Sequence, residues 1–166
     1  MKTKILLLMG LSLLVTVTEA QPSTRDRDSL KGLRGFSVLV AMSGPNLEKD
    51  GVTRDQLQTR VEVKLRQAGI KIIPSPELPG IPGPPVLFVS VNVLRMKPAP
   101  SYSWSIELSM IERVILDRDR NKMIDGMTWH DSWYGYAGIE RTRTILDSVS
   151  DAVEVFINDY LAANAK

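Results

Sequence analysis

The chain has 166 residues, no cysteine, one histidine and a net charge of only +2. This excludes disulfides, thiolate chemistry and cysteine-based zinc sites, and near-neutral charge of mixed sign leaves no electrostatic footprint for nucleic acid. Once a leader is removed, about 146 residues remain, enough for one domain that buries roughly two-thirds of its unfolded surface by packing alone.

That leader is residues 1–20. Lys2 and Lys4 form a basic start, Ile5 to Val17 an apolar run, and Thr18 and Ala20 the small positions before a cut ahead of Gln21-Pro22, the anatomy of a secretory signal peptide. About 13 apolar residues fall short of the roughly 20 that span a membrane, and no later run is longer, so no span is expected after cleavage. Losing Lys2, Lys4 and Glu19 keeps the remainder near neutral. The expected destination is the bacterial periplasm. Residues 21–32 are polar and alternate in sign, predicting a flexible leader, and residues 33–166 form a single domain.

Phe36 to Met42 is apolar on both parities, as in a central strand, and Ser43-Gly44-Pro45-Asn46 ends it with turn residues. The next helix is the most sharply marked element. Thr53 and Gln56 make a capping box, and Val52 and Leu57 a hydrophobic staple. Leu57, Val61, Leu65 and Ala68 form one apolar stripe, and Gly69 is placed for a left-handed stop. Ile70 to Ile73 predicts a short strand. Residues 74–85, PSPELPGIPGPP, favour a stiff extended connector, or alternatively a ligand for an aromatic groove.

Leu87, Val89, Val91 and Val93 alternate with Phe88, Ser90 and Asn92. After a turn at 97–100, Tyr102, Trp104, Ile106, Leu108 and Met110 alternate with Ser103, Ser105, Glu107 and Ser109, a strand with one face in the core and one in water. The charged turn Asp117 to Lys122 leads to a last strand near Met123 to Tyr136, so 101–136 reads as a long hairpin. A final helix over about 142–163 carries the stripe Leu146, Val149, Val153, Phe156 and Tyr160, widened by Ile145, Ala152 and Ile157. Thr144 with Asp147, or Thr142, would cap it. The order β-α-β-β-β-β-α predicts an α+β fold, a two-layer sandwich with two helices on one face of a four- to five-stranded mixed sheet. A right-handed crossover through the first helix sets the first two strands parallel.

The chain offers little chemistry. His130 and Asp131 are strand neighbours and point to opposite faces, so adjacency makes no dyad. Asp117, Asp119, Asn121 and Asp125 occupy four positions of a calcium loop, but Lys122 stands where glycine is needed and Thr128 where a closing glutamate should be. Gly80-Ile81-Pro82-Gly83 has its donors broken by proline, and no paired carboxylates stand out beside the tryptophans. No catalytic residue, metal ligand or cofactor is assigned, and a hydrolase is the least favoured reading. Trp129, Trp133 and Met127 share one strand parity, with His130, Tyr134 and Tyr136 on the other. One face must meet the helices, and the other is a candidate exposed aromatic surface. The candidate partner-binding residues are Pro79, Pro82, Pro84, Trp129, Trp133, Tyr134 and Tyr136, with core packing as the competing fate of the tryptophans.

Leu65-Arg66-Gln67-Ala68-Gly69-Ile70 and Phe156-Ile157-Asn158-Asp159-Tyr160-Leu161, in this element order, resemble small uncharacterised secreted bacterial proteins. The topology is also similar to two envelope modules: the N-terminal domain of the Tol system's periplasmic β-propeller protein, and the small lipoprotein that plugs the lipopolysaccharide translocon. Both are non-catalytic binding modules. The chain lacks the lipidated cysteine of the second, and no functional residue is carried over from either. The resemblance implies a binding or scaffolding module with an envelope protein partner. The alternative is a small-ligand or lipid carrier, which needs an apolar pocket between helices and sheet.

Overall fold

A computed structural model of the protein describes residues 24–44, 47–74, 77, 83–98, 101–138 and 143–165. The expected signal peptide, Pro79 and Pro82 lie outside these residues. The elements are α1 (Thr24–Ser29), β1 (Ser37–Ser43), a 3-10 turn (Leu47–Asp50), α2 (Arg54–Gln67), β2 (Val86–Met96), β3 (Ser101–Leu116), β4 (Asp119–Gly138) and α3 (Arg143–Ala163). The strands make one mixed sheet in the order β1-β2-β3-β4. β1 and β2 run parallel, while the other two pairs are antiparallel. The helices pack on one face, giving the expected α+β sandwich. The short strand expected at 70–73 is a single parallel bridge between Phe36 and Ile72.

Local signals account for α2 closely. Thr53 Oγ1 accepts from the Gln56 N–H at 3.1 Å, and Gln56 Oε1 accepts from the Thr53 N–H at 3.1 Å. This reciprocal pair satisfies donors that a helix start otherwise leaves open. Val52 and Leu57 are both fully buried, as a staple requires. At the other end Gly69 has φ 78°, the Gly69 N–H donates to Arg66 O and the Ile70 N–H to Leu65 O. That is a Schellman ending, which a side chain at Gly69 would strain. α3 begins at Arg143, so Thr144 lies inside its first turn rather than capping it, and Thr142 is outside the described residues.

The core is built from strand alternation. Leu87, Val89, Val91 and Val93 of β2 pair with Met110, Leu108, Ile106 and Trp104 of β3, and all eight are buried. Leu57, Val61 and Leu65 of α2 and Ile145, Val149, Val153 and Phe156 of α3 complete the core from above. Phe156 stands edge-on to Phe36 and Trp129, with ring centroids 5.5 and 5.0 Å away, the arrangement that aromatic quadrupoles favour.

From Thr24 onward, the segment expected to be a flexible leader is a short helix docked on the body. Leu30 is fully buried. The Arg27 Nε–H donates to Asp159 Oδ1 at 2.8 Å, and Ser29 Oγ–H donates to Thr128 O at 2.8 Å. Asn164 closes the far side, donating to Leu30 O and accepting from the Gly32 N–H. Four alternating charges, Arg25 to Asp28, hide this helix from a composition argument, because a leucine, an ion pair and a few hydrogen bonds to distant residues hold it.

A second departure concerns β4. The β3–β4 register slips between Met110 and Ile111, so that Met110 faces Trp129 while Ile111 faces Met127. Thr128 is therefore the extra residue of a β-bulge, and simple parity fails across it. Trp129 is 1 % exposed and Met127 61 % exposed. They lie on opposite faces, although the unbroken alternation predicts the same one.

Candidate partner-binding surface

The helices leave the second face of the sheet uncovered. Across the strands, its rows run Leu39–Phe88–Ser109–His130, Ala41–Ser90–Glu107–Ser132 and Ser43–Asn92–Ser105–Tyr134, then Leu94–Ser103–Tyr136 and Met96–Ser101–Gly138. Serine at four of five alternate positions of β3 makes a low, polar floor. The floor is knitted by side chains: Ser43 Oγ–H donates to Asn92 Oδ1 at 2.6 Å, and Asn92 Nδ2 donates to Ser90 Oγ and Ser105 Oγ at 3.3 and 3.4 Å.

Large side chains flank this floor at one end. Tyr134 and Tyr136 of β4 are 74 % and 76 % exposed, and Leu94 and Met96 of β2 are also exposed. Two residues on along a strand is about 7 Å, and two strands across is roughly 10 Å. The result is a serine-floored trough between a tyrosine wall and an aliphatic wall, open to solvent and aligned with the strands. Such a surface suits an extended chain, with ring faces for apolar contact and hydroxyls for hydrogen bonds.

The two sheet edges differ. On β1, the Gln58 amide of α2 fills the place of a neighbouring strand: its Oε1 accepts from the Val40 N–H at 3.2 Å and its Nε2 donates to Val38 O at 3.1 Å. Phe36 is paired to Lys71 and Ile73 through main-chain bonds. On β4, α1 covers Thr128 through Ser29. From His130 to Gly138, among the described residues, no other strand or helix side chain is bonded to the outer edge; the Asp131 carboxylate accepts from the Ser132 N–H at 2.7 Å.

The structure separates the candidates that the sequence offers. Tyr134 and Tyr136 stand together on the open face. Trp133 is half-buried and packed against the core. Trp129 leaves the candidate surface altogether, because its indole lies between Phe156 and Asp159 and its Nε1–H donates to Asp159 Oδ2 at 3.1 Å. Pro84 is half-buried in the segment leading to β2, and Arg113 of β3 lies against its neighbour Gly83. The sequence reading missed Leu94, Met96 and the serine floor. In the sequence the alternate serines of β3 mark only the wet side of a strand.

His130 is exposed on the open face opposite Ser109, and Asp131 is on the helix side. They do not meet. A groove of about 1000 Å³ lies between the outer sides of α2 and α3, lined by Val63 and Leu146 together with polar residues including Thr53, Gln56, Arg60 and Asp147. Two of its three cations are engaged, Arg60 with Asp147 at 3.1 Å and Lys64 with Glu154 at 2.9 Å, and Arg143 lines the same groove. Between helices and sheet, where a carrier would hold its ligand, Trp129, Tyr102, Phe36 and Phe156 fill the space.

Comparison with protein-family models finds no match, and comparison with curated proteins finds no significant relative.

Proposed function

We propose that the chain is a secreted, non-catalytic binding module of the bacterial periplasm, which engages an envelope protein through the trough on the open face of its sheet. The observation that carries this reading is the pair Tyr134 and Tyr136, three-quarters exposed beside a serine floor on a face no helix covers. Side by side on one open face, the two rings form an exposed aromatic patch of the kind that marks interaction sites, and tyrosine is among the residues that dominate binding interfaces. The basic start and apolar run of residues 1–20 support export, and the element order, similar to two envelope modules, supports an envelope partner.

The test is photo-crosslinking of the tagged protein in its native cells, followed by identification of the partner in the envelope fraction. Y134S/Y136S removes one wall and L94S/M96S the other. Each should cut recovery of that partner tenfold or more, the scale of an interface anchor. Recovery unchanged in both variants would sink the proposal.

A further inference from the structure

We infer that two copies of this chain pair through the β4 edge, antiparallel about Tyr134, to form one eight-stranded sheet. The inference does not depend on the trough being a partner site. It starts from which main-chain groups face outward. The Ser37 N–H donates to Pro85 O, so odd-numbered residues of β2 turn toward β1 and even-numbered ones toward β3. Ladder alternation then turns Leu108 toward β4 and Asp131 toward β3. His130, Ser132, Tyr134, Tyr136 and Gly138 are left with their N–H and C=O groups directed off the sheet. The Ser132 N–H, taken up by a side chain rather than by β3, agrees with this.

An unpaired edge of this length is normally blunted by lysine, proline or a covering element. The molecule treats β1 in that way, with Gln58 and the 70–73 segment. Residues 130–138 contain no lysine, arginine or proline, and their single carboxylate is Asp131. The stretch is bounded by α1 at Thr128 and by the end of β4 at Gly138. Its midpoint is Tyr134.

A two-fold axis at that midpoint makes the segment complementary to itself. On the open face His130 meets Gly138 of the second copy, Ser132 meets Tyr136, and Tyr134 meets Tyr134. On the helix face Asp131 meets Ala137, and Trp133 meets Gly135. Apart from the pair on the axis, every large side chain faces a small one, and no like charges are opposed, so close pairing is sterically and electrostatically open. Residues that face outward meet residues that face outward, so each such pair exchanges both main-chain bonds. The Ser132 N–H, now taken by the Asp131 carboxylate at 2.7 Å, has to be released to the second copy. Such an isologous contact closes at two copies, and it sets two troughs side by side on one platform.

Sedimentation equilibrium of the purified, processed protein should show twice the monomer mass at micromolar concentration. S132K/Y136K opposes lysines across the axis and should raise the dissociation constant at least tenfold. S132K/Y136E opposes lysine to glutamate in the same register and should restore the dimer. Because the protein has no cysteine, Y134C reports independently: oxidation should give a covalent dimer, since directly opposed strand residues lie about 5.5 Å apart, while L39C on β1 should not. Near-UV circular dichroism checks that each variant is folded. A wild-type monomer throughout the concentration range, a dimer insensitive to S132K/Y136K, or crosslinking of Y134C no faster than L39C overturns the inference. Failure of S132K/Y136E to restore association overturns the register.

Discussion

Two tryptophans show how much a single polar atom decides. Trp129 and Trp104 are both buried, but the Trp129 Nε1–H has the Asp159 carboxylate and the Trp104 Nε1–H has no acceptor among the described residues. W129F therefore strips a donor from a buried carboxylate and shrinks a packed ring, a loss of about 3 kcal/mol. W104F also leaves a void, but it removes an unsatisfied donor, so its net cost should stay within about 1 kcal/mol. Urea denaturation of the two variants compares them directly, and equal losses would contradict the argument. Tyr160 gives a second test. Its hydroxyl donates to Leu33 O at 2.7 Å, and burial raises its pKa above the ordinary 10.0. A raised folded value means that the protonated phenol contributes stability in full below pH 10 and loses it as pH climbs toward the folded value. Y160F should cost about 1 kcal/mol at neutral pH and flatten the stability decline above pH 10 in an alkaline titration.

At the scale of elements, the edge strands matter most. Gln58 was legible as a polar residue beside an apolar stripe, but nothing in the sequence says that its amide replaces a strand. The amide makes two main-chain bonds across β1, and Q58A should cost about 1 to 2 kcal/mol. It should also raise the aggregation rate of the heated protein, measured by light scattering, because the β1 edge is then exposed. A variant that loses stability without gaining aggregation would show the cap to be only a brace. Elements with strong local grammar were readable: α2 from its capping box, staple and terminal glycine, and β2 and β3 from strict alternation. α1 was not, since its stability comes from Arg27 reaching Asp159, 132 positions away. Nor was the bulge at Thr128. A one-residue slip is set by how β3 and β4 accommodate each other, and it carried Met127 to the face opposite Trp129.

For the whole molecule, hydrophobic periodicity supplied the layers, because each helix had one stripe and each central strand one buried parity. The candidate surface was half legible. Tyr134 and Tyr136 stood out by type, and alternation put them on one face together. Which face the helices would choose was not decided within β4, since both of its parities carry aromatics. The decision lies in β3, where bulky Tyr102, Trp104, Ile106, Leu108 and Met110 all oppose serines and Glu107. Gly135 records the same choice: a β-carbon there would come within 2.2 Å of the Trp104 ring, so the indole lies flat over the glycine and closes the core at that end.

The asymmetry between the two edges gives the protein a valence. A sheet open on both sides can recruit neighbours without limit and grows as a fibre. One with a single open side can accept one strand and is then finished. By sealing β1 with an amide from its own helix, the chain holds that valence at one, so any strand added along β4 terminates the assembly it begins.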